Sequence, residues 1–374
     1  MPSPLLKGLT AMPSHSSAPL DLSDLGWDDA HAEAFAPYAA EHLPARISRV
    51  DRGAGDALAA GGPLRVTFSG ALLAAAAADP VANPCVGDWV AVRTWSDGRV
   101  TAEAVLRRRT AFVRAGVTPG SSHGQVLAAN VDVAVVVEGL HPEPDLGRIE
   151  RFLALGWESG ATPLIVLTKA DLVPDAEQLR TDVAAAAPGV EVLTLSSTTG
   201  DGLAGLQAHV VAGRTLALLG PSGAGKSTLT NALAGEVVMV TRELRADGKG
   251  RHTTAHRELV MLPGGGLVVD TPGLRSVGLT DIEESLDLVF ADVEELAREC
   301  RFADCVHDSE PDCAVRAALE SGELPERRWQ SYLKLAREAR YMAMRHDARL
   351  RAEERSKWKQ RTKDYRNRPG SIRR

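Results

Sequence analysis

The segment GPSGAGKS at 220–227 is the part of this sequence whose residue types and spacing imply chemistry most directly. It matches GxxxxGK[ST] and lies between the apolar run TLALL and a helix predicted from Lys226, the context that a phosphate-binding loop requires. Backbone N–H groups can surround phosphates at such a helix N-terminus, Lys226 can reach the terminal phosphates, and the Ser227 hydroxyl can bind Mg²⁺. The predicted nucleotide-binding residues here are Gly220, Pro221, Ser222, Gly223, Ala224, Gly225, Lys226, Ser227 and Thr228.

Two further motifs indicate which base the nucleotide carries. The tetrapeptide TKAD follows the apolar run PLIVL and consists of Thr168, Lys169, Ala170 and Asp171. The Asp171 carboxylate can accept hydrogen bonds from the N1 and N2 donors of guanine, which adenine lacks. Ser196 and Ser197 follow VEVLTL and resemble a second loop that contacts guanine. An aspartate after a lysine can also simply cap a helix, so TKAD alone is a weak signal of guanine binding. The prediction becomes specific because other nucleotide-binding motifs also lie at strand ends.

The run LVVDTPG predicts the residues that respond to a γ-phosphate. Asp270 at a strand end can hold Mg²⁺ through water, and the Gly273 N–H can contact the γ-phosphate, as in the switch regions of GTPases. Transporter-type ATPases share the form GPSGAGKSTL, but they carry an LSGGQ-like signature and an Asp-Glu strand end that this sequence lacks. A metabolic or transporter ATPase is therefore the weaker alternative to a GTPase.

The segment GRHTTAHREL at 250–259 supplies the polar residues of a first switch loop. Thr254 is our first choice for a threonine that binds the magnesium ion, and Thr253 is the second. Ras-type enzymes place a water-orienting glutamine just after DxxG, where this chain has Leu274, so His252 is the candidate for that task. The alternative is that His252 is an ordinary polar residue of a surface loop.

A metal site is predicted near the C-terminus. Three thiolates and one imidazole, spaced by four, one and five residues, make a closed set of ligands for a tetrahedral structural zinc ion: Cys300, Cys305, His307 and Cys313. Three of the four cysteines fall within this short segment, which favours a metal over disulfides. The alternative is a chance cluster of buried cysteines, and the remaining Cys85 is expected in a core.

The strands that must position these motifs are visible as continuous apolar runs between residues 130 and 279. Such β-branched runs predict buried parallel strands, and four of the five end in a polar motif, where an open α/β sheet binds its ligand. A standard GTPase has the phosphate loop first and the guanine-reading motifs last, whereas here the guanine-reading motifs come first. This order indicates a circular permutation, which is tolerated because domain termini often lie close together.

The predicted fold is multidomain: a small all-β OB-type barrel, then a circularly permuted P-loop α/β GTPase domain, then a helical zinc-binding domain. The barrel is predicted from short runs in which apolar and polar residues alternate. Any other small β-barrel is an alternative to the OB type. The expected borders are 1–44 for a flexible leader and short helix, 45–118 for the barrel, 122–279 for the GTPase domain, 280–325 for the zinc-binding domain and 326–374 for a basic C-terminal helix or arm.

Charge is distributed unevenly along the chain. The whole chain carries −6, but residues 325–374 hold 17 lysines and arginines against 6 acidic residues, or +11, which leaves −17 for the rest. This basic arm predicts a polyanionic partner, with a merely solvated charged helix as the alternative. Neither a membrane-length apolar run nor a signal-peptide pattern occurs, so we expect a cytoplasmic protein that does not enter a membrane.

Taken together, these motifs resemble the ribosome small subunit-dependent GTPase A family, the circularly permuted GTPases also called RsgA or YjeQ. The resemblance covers nearly the whole chain, including GRHTTAHREL and the segment CRFADCVHDSEPDCAV at 300–315. It implies an enzyme that binds the small ribosomal subunit and its rRNA late in assembly and hydrolyses GTP, stimulated by the subunit, to drive its own release. The implied ligands are GTP with Mg²⁺ and one structural Zn²⁺, and we expect a monomer.

Two positions depart from the family pattern. Thr168 replaces the usual asparagine, which is expected to weaken a hydrogen bond that braces the loop while leaving the Asp171 contact intact. Ala255 replaces a third threonine after His252. A nucleotide-gated RNA-binding scaffold with negligible turnover is the alternative function, and it differs from the GTPase only in rate.

Overall fold

A closed five-stranded barrel forms the first unit of the computed structural model, which describes residues 20–114, 124–238, 258–270 and 283–346. The strands pair in the order β1-β2-β3-β5-β4, and β4 pairs back with β1 to close the barrel. Strands β3 and β5 run parallel, and helix α2 connects β3 to β4. The predicted OB-type barrel is confirmed. Its elements are β1 (Leu43–Asp51), β2 (Ala54–Ala59), β3 (Gly62–Phe68), α2 (Gly70–Ala78), β4 (Trp89–Thr94) and β5 (Val100–Val105).

A short helical segment precedes the barrel and packs on it. Helix α1 (Asp29–Phe35) begins after Asp28, whose carboxylate accepts a hydrogen bond from the His31 N–H at 3.0 Å and so caps the helix. The ring of Trp27 meets the buried ring of Trp89 edge-on at 4.7 Å. Aromatic packing therefore attaches this segment to the start of β4.

The second unit is an α/β domain whose central sheet has the order β10-β9-β8-β11-β13-β12. All neighbours are parallel except β12, which is antiparallel to β13, so the predicted parallel strands are confirmed. A two-stranded hairpin leads into the domain. The elements are β6 (Ala111–Arg114), β7 (Gln125–Ala129), β8 (Val133–Gly139), α3 (Leu146–Glu158), β9 (Thr162–Thr168), α4 (Ala176–Ala185), β10 (Val192–Thr194), α5 (Leu203–Gln207), β11 (Thr215–Leu219), α6 (Lys226–Ala234), β12 (Glu258–Met261) and β13 (Leu267–Asp270).

The barrel contacts the second unit along two stretches of backbone, one on the α/β sheet and one on the hairpin strand β7. Strand β1 pairs with β12 at Arg49 and Glu258, so hydrogen bonding continues from one sheet into the other. Gly87 has φ 88°, and a Cβ atom there would lie 2.1 Å from the carbonyl oxygen of Ala129. Any larger residue at position 87 would force the barrel away from the α/β domain.

The third unit is helical and is docked on helix α3. It contains α7 (Glu283–Val289), α8 (Ala291–Arg298), α9 (Ala314–Ser321) and α10 (Glu326–His346). Glu150 of α3 is buried and accepts hydrogen bonds from Arg327 at 3.1 Å, from Arg328 at 2.8 Å and from Ser331. Within the described ranges, no helix is both long and apolar enough to cross a membrane.

Arg46 of β1 joins the first two units from the inside. Its side chain is fully buried, and the guanidinium donates to the carbonyl oxygens of Leu25, Gly87 (3.2 Å) and Asn130 (2.7 Å). Burial lowers the pKa of this guanidinium to about 10, which still leaves it charged at neutral pH. Because only arginine offers five donors in a planar fork, these three contacts depend on the residue type as well as the charge.

We expect Arg46→Lys to lower the free energy of unfolding by about 2 kcal/mol or more, because the ammonium cannot reproduce the fork and leaves buried carbonyl groups unsatisfied. Urea unfolding followed by tryptophan fluorescence measures the change. The matched control is Arg52→Lys, at an exposed position of the β1–β2 turn, with an expected change within about 0.5 kcal/mol. Equal stability of Arg46→Lys and the wild type would contradict the assignment.

Candidate nucleotide site and metal centre

The phosphate loop leaves β11 at Leu219 and ends where α6 begins at Lys226. Gly220 has φ 149°, and a Cβ atom there would lie 2.2 Å from the carbonyl oxygen of Val137, so only glycine fits this approach to β8. Gly225 has φ 90° and immediately precedes the helix. The first backbone N–H groups of α6 therefore point out of its N-terminus into the loop, as an anion-binding site requires.

Lys226 is buried beneath this loop rather than extended into solvent. Its ammonium donates to the carbonyl oxygens of Gly220 at 2.8 Å and Pro221 at 2.7 Å. Ser227 is half-buried in the first turn of α6, and Ser222 and Thr228 are exposed. The loop thus gathers a positive charge, a helix N-terminus and three hydroxyl-bearing side chains, which suits a polyphosphate with a bound cation.

The TKAD motif lies at the end of β9, and each residue has a distinct setting. Lys169 adopts a left-handed backbone conformation with φ 63°, and its ammonium donates to the His141 carbonyl oxygen at 3.1 Å. Asp171 is exposed in a short 3₁₀ turn. The Ala170 N–H donates to the Leu195 carbonyl oxygen at 3.2 Å. This bond joins TKAD to the segment after β10, so the two predicted guanine loops are neighbours.

The two serines of the second loop differ in their roles. Ser196 is fully buried, and its Oγ accepts hydrogen bonds from the N–H groups of Thr198 at 3.2 Å and Thr199 at 3.1 Å. Ser196 therefore shapes the loop instead of presenting its hydroxyl outward. Ser197 Oγ is buried and has no hydrogen-bond partner among the described residues. Of the pair, Ser197 has the hydroxyl that is still available to another group.

Thr168 connects the guanine loop to the phosphate loop. Its hydroxyl donates to the Ala224 carbonyl oxygen at 2.6 Å, across the end of the intervening strand β8. The departure from asparagine thus retains a bracing hydrogen bond at this position. The structure brings residues 168–171 and 220–228 together at the carboxyl edge of the sheet.

Asp270 ends β13, where its backbone pairs with Leu218 of β11. That position places the backbone of residue 270 beside the start of the phosphate loop. The remaining predicted catalytic residues lie outside the described residues: His252, Thr253, Thr254 and Gly273.

Sequence reasoning missed one ionisable group beside the site. Glu138 is buried near the end of β8, and its carboxylate accepts hydrogen bonds from Arg148 of α3, one of them at 3.1 Å. The sequence feature that could have identified Glu138 is the single carboxylate within the apolar run VAVVVEG. The pair fixes the start of α3 against the strand that separates the two nucleotide loops.

The predicted metal ligands converge at one point. The ligand atoms of all four residues lie within 4.8 Å of one another. Cys300 Sγ is 3.8 Å from Cys313 Sγ and 3.5 Å from His307 Nδ1, and the latter is 3.4 Å from Cys313 Sγ. Tetrahedral zinc with bonds of about 2.3 Å to sulfur and 2.0 Å to nitrogen needs edges of about 3.8 Å and 3.5 Å. These side chains fit a tetrahedral metal ion.

The thiols of this cluster differ in acidity. Burial acts to raise the pKa of Cys300, but backbone N–H groups of Val315 and Ala314 at the start of α9 bring it below its usual value. Burial and the neighbouring thiols of Cys313 and Cys300 raise the pKa of Cys305 to about 11. Cys300 therefore ionises more readily than Cys305, and a bound metal requires both as thiolates.

Known proteins of one family are similar to this chain in sequence. A family sequence model described as RsgA GTPase matches residues 105–280. The chain is 55% identical to "Small ribosomal subunit biogenesis GTPase RsgA" of Streptomyces coelicolor, over 94% of this chain and 96% of that protein. It is 48% identical to the protein of the same name from Opitutus terrae, over 91% and 95% of the two chains.

Two solved structures share the architecture. The crystal structure of YjeQ from Thermotoga maritima is 25% identical and superposes with a TM-score of 0.57, over 79% of this chain and 97% of that chain. YloQ, described as a circularly permuted GTPase, is 29% identical with a TM-score of 0.55, over 78% and 93% of the chains. These two structures therefore share the fold over more than three quarters of this chain.

We expect Cys305→Ser to lower the metal content below one ion per chain and to increase hydrogen exchange in residues 291–321, because the metal joins the loop to α9. Elemental analysis and hydrogen-exchange mass spectrometry measure the two effects. Cys85→Ser, which changes a buried thiol of another unit, is the control and should retain the metal. Wild-type protein that contains no metal and shows the same exchange as Cys305→Ser would contradict a structural site.

Proposed function

This chain belongs to the RsgA GTPase family, and from that premise we propose that it binds GTP with Mg²⁺, hydrolyses it to GDP and phosphate, and acts on the small ribosomal subunit during its biogenesis. The observation that carries the proposal is the hydrogen bond from Thr168 to Ala224. It holds the TKAD motif, to which we assign the reading of guanine, against the phosphate loop at one edge of a parallel sheet, where α/β proteins bind nucleotides. The relatives are named for biogenesis of the small subunit, which supports the choice of partner.

In the proposed complex, Asp171 accepts hydrogen bonds from the guanine base, and its exposure leaves its carboxylate open to a ligand. Lys226 turns from the carbonyl groups of its own loop to the β- and γ-phosphates, while the N–H groups of the loop and of α6 surround them. Ser227, Thr254 and Asp270 would hold the magnesium ion, which would supply positive charge to neutralise the phosphates. The Gly273 N–H would contact the γ-phosphate.

Hydrolysis requires a water molecule in line with the bond that breaks, and catalysis in this class depends mainly on positioning and charge stabilisation. Leu274 has no polar group for that water, so slow intrinsic turnover is expected. We propose that His252 orients the water once the subunit is bound. A scaffold with negligible turnover remains the second candidate, and it is distinguished by turnover in the presence of subunits.

The proposed contact with rRNA falls on the basic helix α10 and the residues after it. Residues 283–324 carry 13 acidic residues against 3 arginines, or −10, whereas residues 325–374 carry +11. RNA phosphates attract residues 325–374 and repel residues 283–324. We therefore propose that the basic segment contacts rRNA and that the acidic metal-binding unit only supports it. We propose Zn²⁺ as the metal, because three thiolates and one imidazole favour it, and a cytoplasmic location, where such thiols stay reduced.

We expect Asp171→Asn to lower the affinity for GDP about 100-fold and to create affinity for xanthosine diphosphate, because the amide donates where the carboxylate accepted and xanthine has a carbonyl in place of the amino group. Isothermal titration measures both. Asp175→Asn, at an exposed position four residues further on, is the matched control and should bind GDP as the wild type does. Unchanged GDP affinity with no binding of the xanthine nucleotide would refute the role of TKAD.

We expect small subunits to accelerate GTP hydrolysis and His252→Ala to reduce the accelerated rate by at least about 10-fold, while the affinities for GTP and for subunits stay unchanged. Phosphate release during turnover measures the rate. His256→Ala removes the second histidine of the same segment and serves as the control. Full stimulation in His252→Ala would assign the trigger to another group, and absence of stimulation in the wild type would favour the scaffold.

A further inference from the structure

The hydroxyl group of Thr168 is already committed to the protein. The side chain is 1% exposed, and Oγ1 lies 2.6 Å from the carbonyl oxygen of Ala224 and 3.3 Å from that of Glu138. A threonine hydroxyl has one proton, so it can donate to only one acceptor at a time. The shorter distance assigns that proton to Ala224.

The surroundings hold this side chain in place. A Cβ atom built on Gly225 would lie 3.4 Å from Thr168 Oγ1 and 3.9 Å from its methyl carbon, so the threonine packs directly against the phosphate loop. Its β-branched side chain has restricted rotation about χ1. The next donor along the chain, the Lys169 ammonium, is directed to the His141 carbonyl oxygen.

This commitment limits what residue 168 can do for a bound base. Guanine presents acceptors at N7 and O6 on one edge and donors at N1 and N2 on the other. An asparagine amide has two protons and could serve the Ala224 carbonyl group and a base acceptor together. Threonine has no second proton for the base.

We propose that Thr168 braces the phosphate loop and takes no part in reading the base. It donates no hydrogen bond to guanine N7 and leaves base recognition to the edge read by Asp171. This inference rests on the proposed guanine-nucleotide site. Its consequence is that the enzyme accepts guanine nucleotides that lack N7 as readily as GDP or GTP.

The test compares GDP with 7-deaza-GDP, in which a C–H group replaces N7, by titration of the full chain. We expect the wild type to bind the two within about 2-fold of each other. Thr168→Asn should prefer GDP by about 5-fold, the effect of one added hydrogen bond. Thr168→Val, which keeps the shape but removes the hydroxyl, should bind both nucleotides about 5-fold more weakly and equally, because the loop has lost its brace.

A preference of the wild type for GDP of 5-fold or more would overturn the proposal, as would a folded Thr168→Asn that binds the two nucleotides equally. If Thr168→Asn does not fold, as judged by thermal unfolding, the wild-type ratio alone decides. Failure of the proposed function has a different result: neither guanine nucleotide would bind, or ADP would compete as well as GDP. If position 168 lay out of reach of the base, Thr168→Asn would change the absolute affinities but would not create an N7-dependent ratio.

Discussion

The arrangement of the first two units depends on one buried cation. Arg46 has no carboxylate within hydrogen-bonding reach among its described partners, and its charge is solvated by backbone carbonyl groups of Leu25, Gly87 and Asn130. Leaving such a group without partners in a protein interior is costly, so the three segments must stay where they are for the charge to be tolerated. The leading segment, the barrel and the first residues of the α/β domain are therefore one assembly around a single guanidinium.

The nucleotide loops obey a second constraint, which explains why their order in the chain matters so little. Parallel strands β9, β8 and β11 end at one edge of the sheet, and whatever follows each strand must meet there. Thr168 and Ala224 are far apart in sequence, yet their contact needs no special loop. A permutation changes which strand comes first, but it does not change which strand ends are neighbours.

Features with a regular sequence pattern, such as an apolar strand or a set of spaced metal ligands, could be predicted from the sequence. Contacts made by single residues between units could not. Apolar runs such as VAVVVEG became β8, and the spacing of Cys300, Cys305, His307 and Cys313 corresponds to a real cluster. From the sequence alone, Arg46 would be assigned to the exposed face of an alternating strand and Glu150 to the exposed polar face of a helix. Each is buried only because another unit covers it, and this depends on tertiary packing that local patterns do not encode.

The pairing of Arg49 with Glu258 gives the barrel a mechanical role. Residues 239–257 connect two fixed points: Val238, whose N–H donates to the Asn231 side chain at 3.0 Å, and Glu258, which is paired to both β13 and the barrel. Because Arg46 holds the barrel in place on the second unit, the residue at which β12 begins is fixed relative to both units. The barrel therefore serves as a second anchor for the C-terminal end of segment 239–257, beside the anchor that β13 supplies.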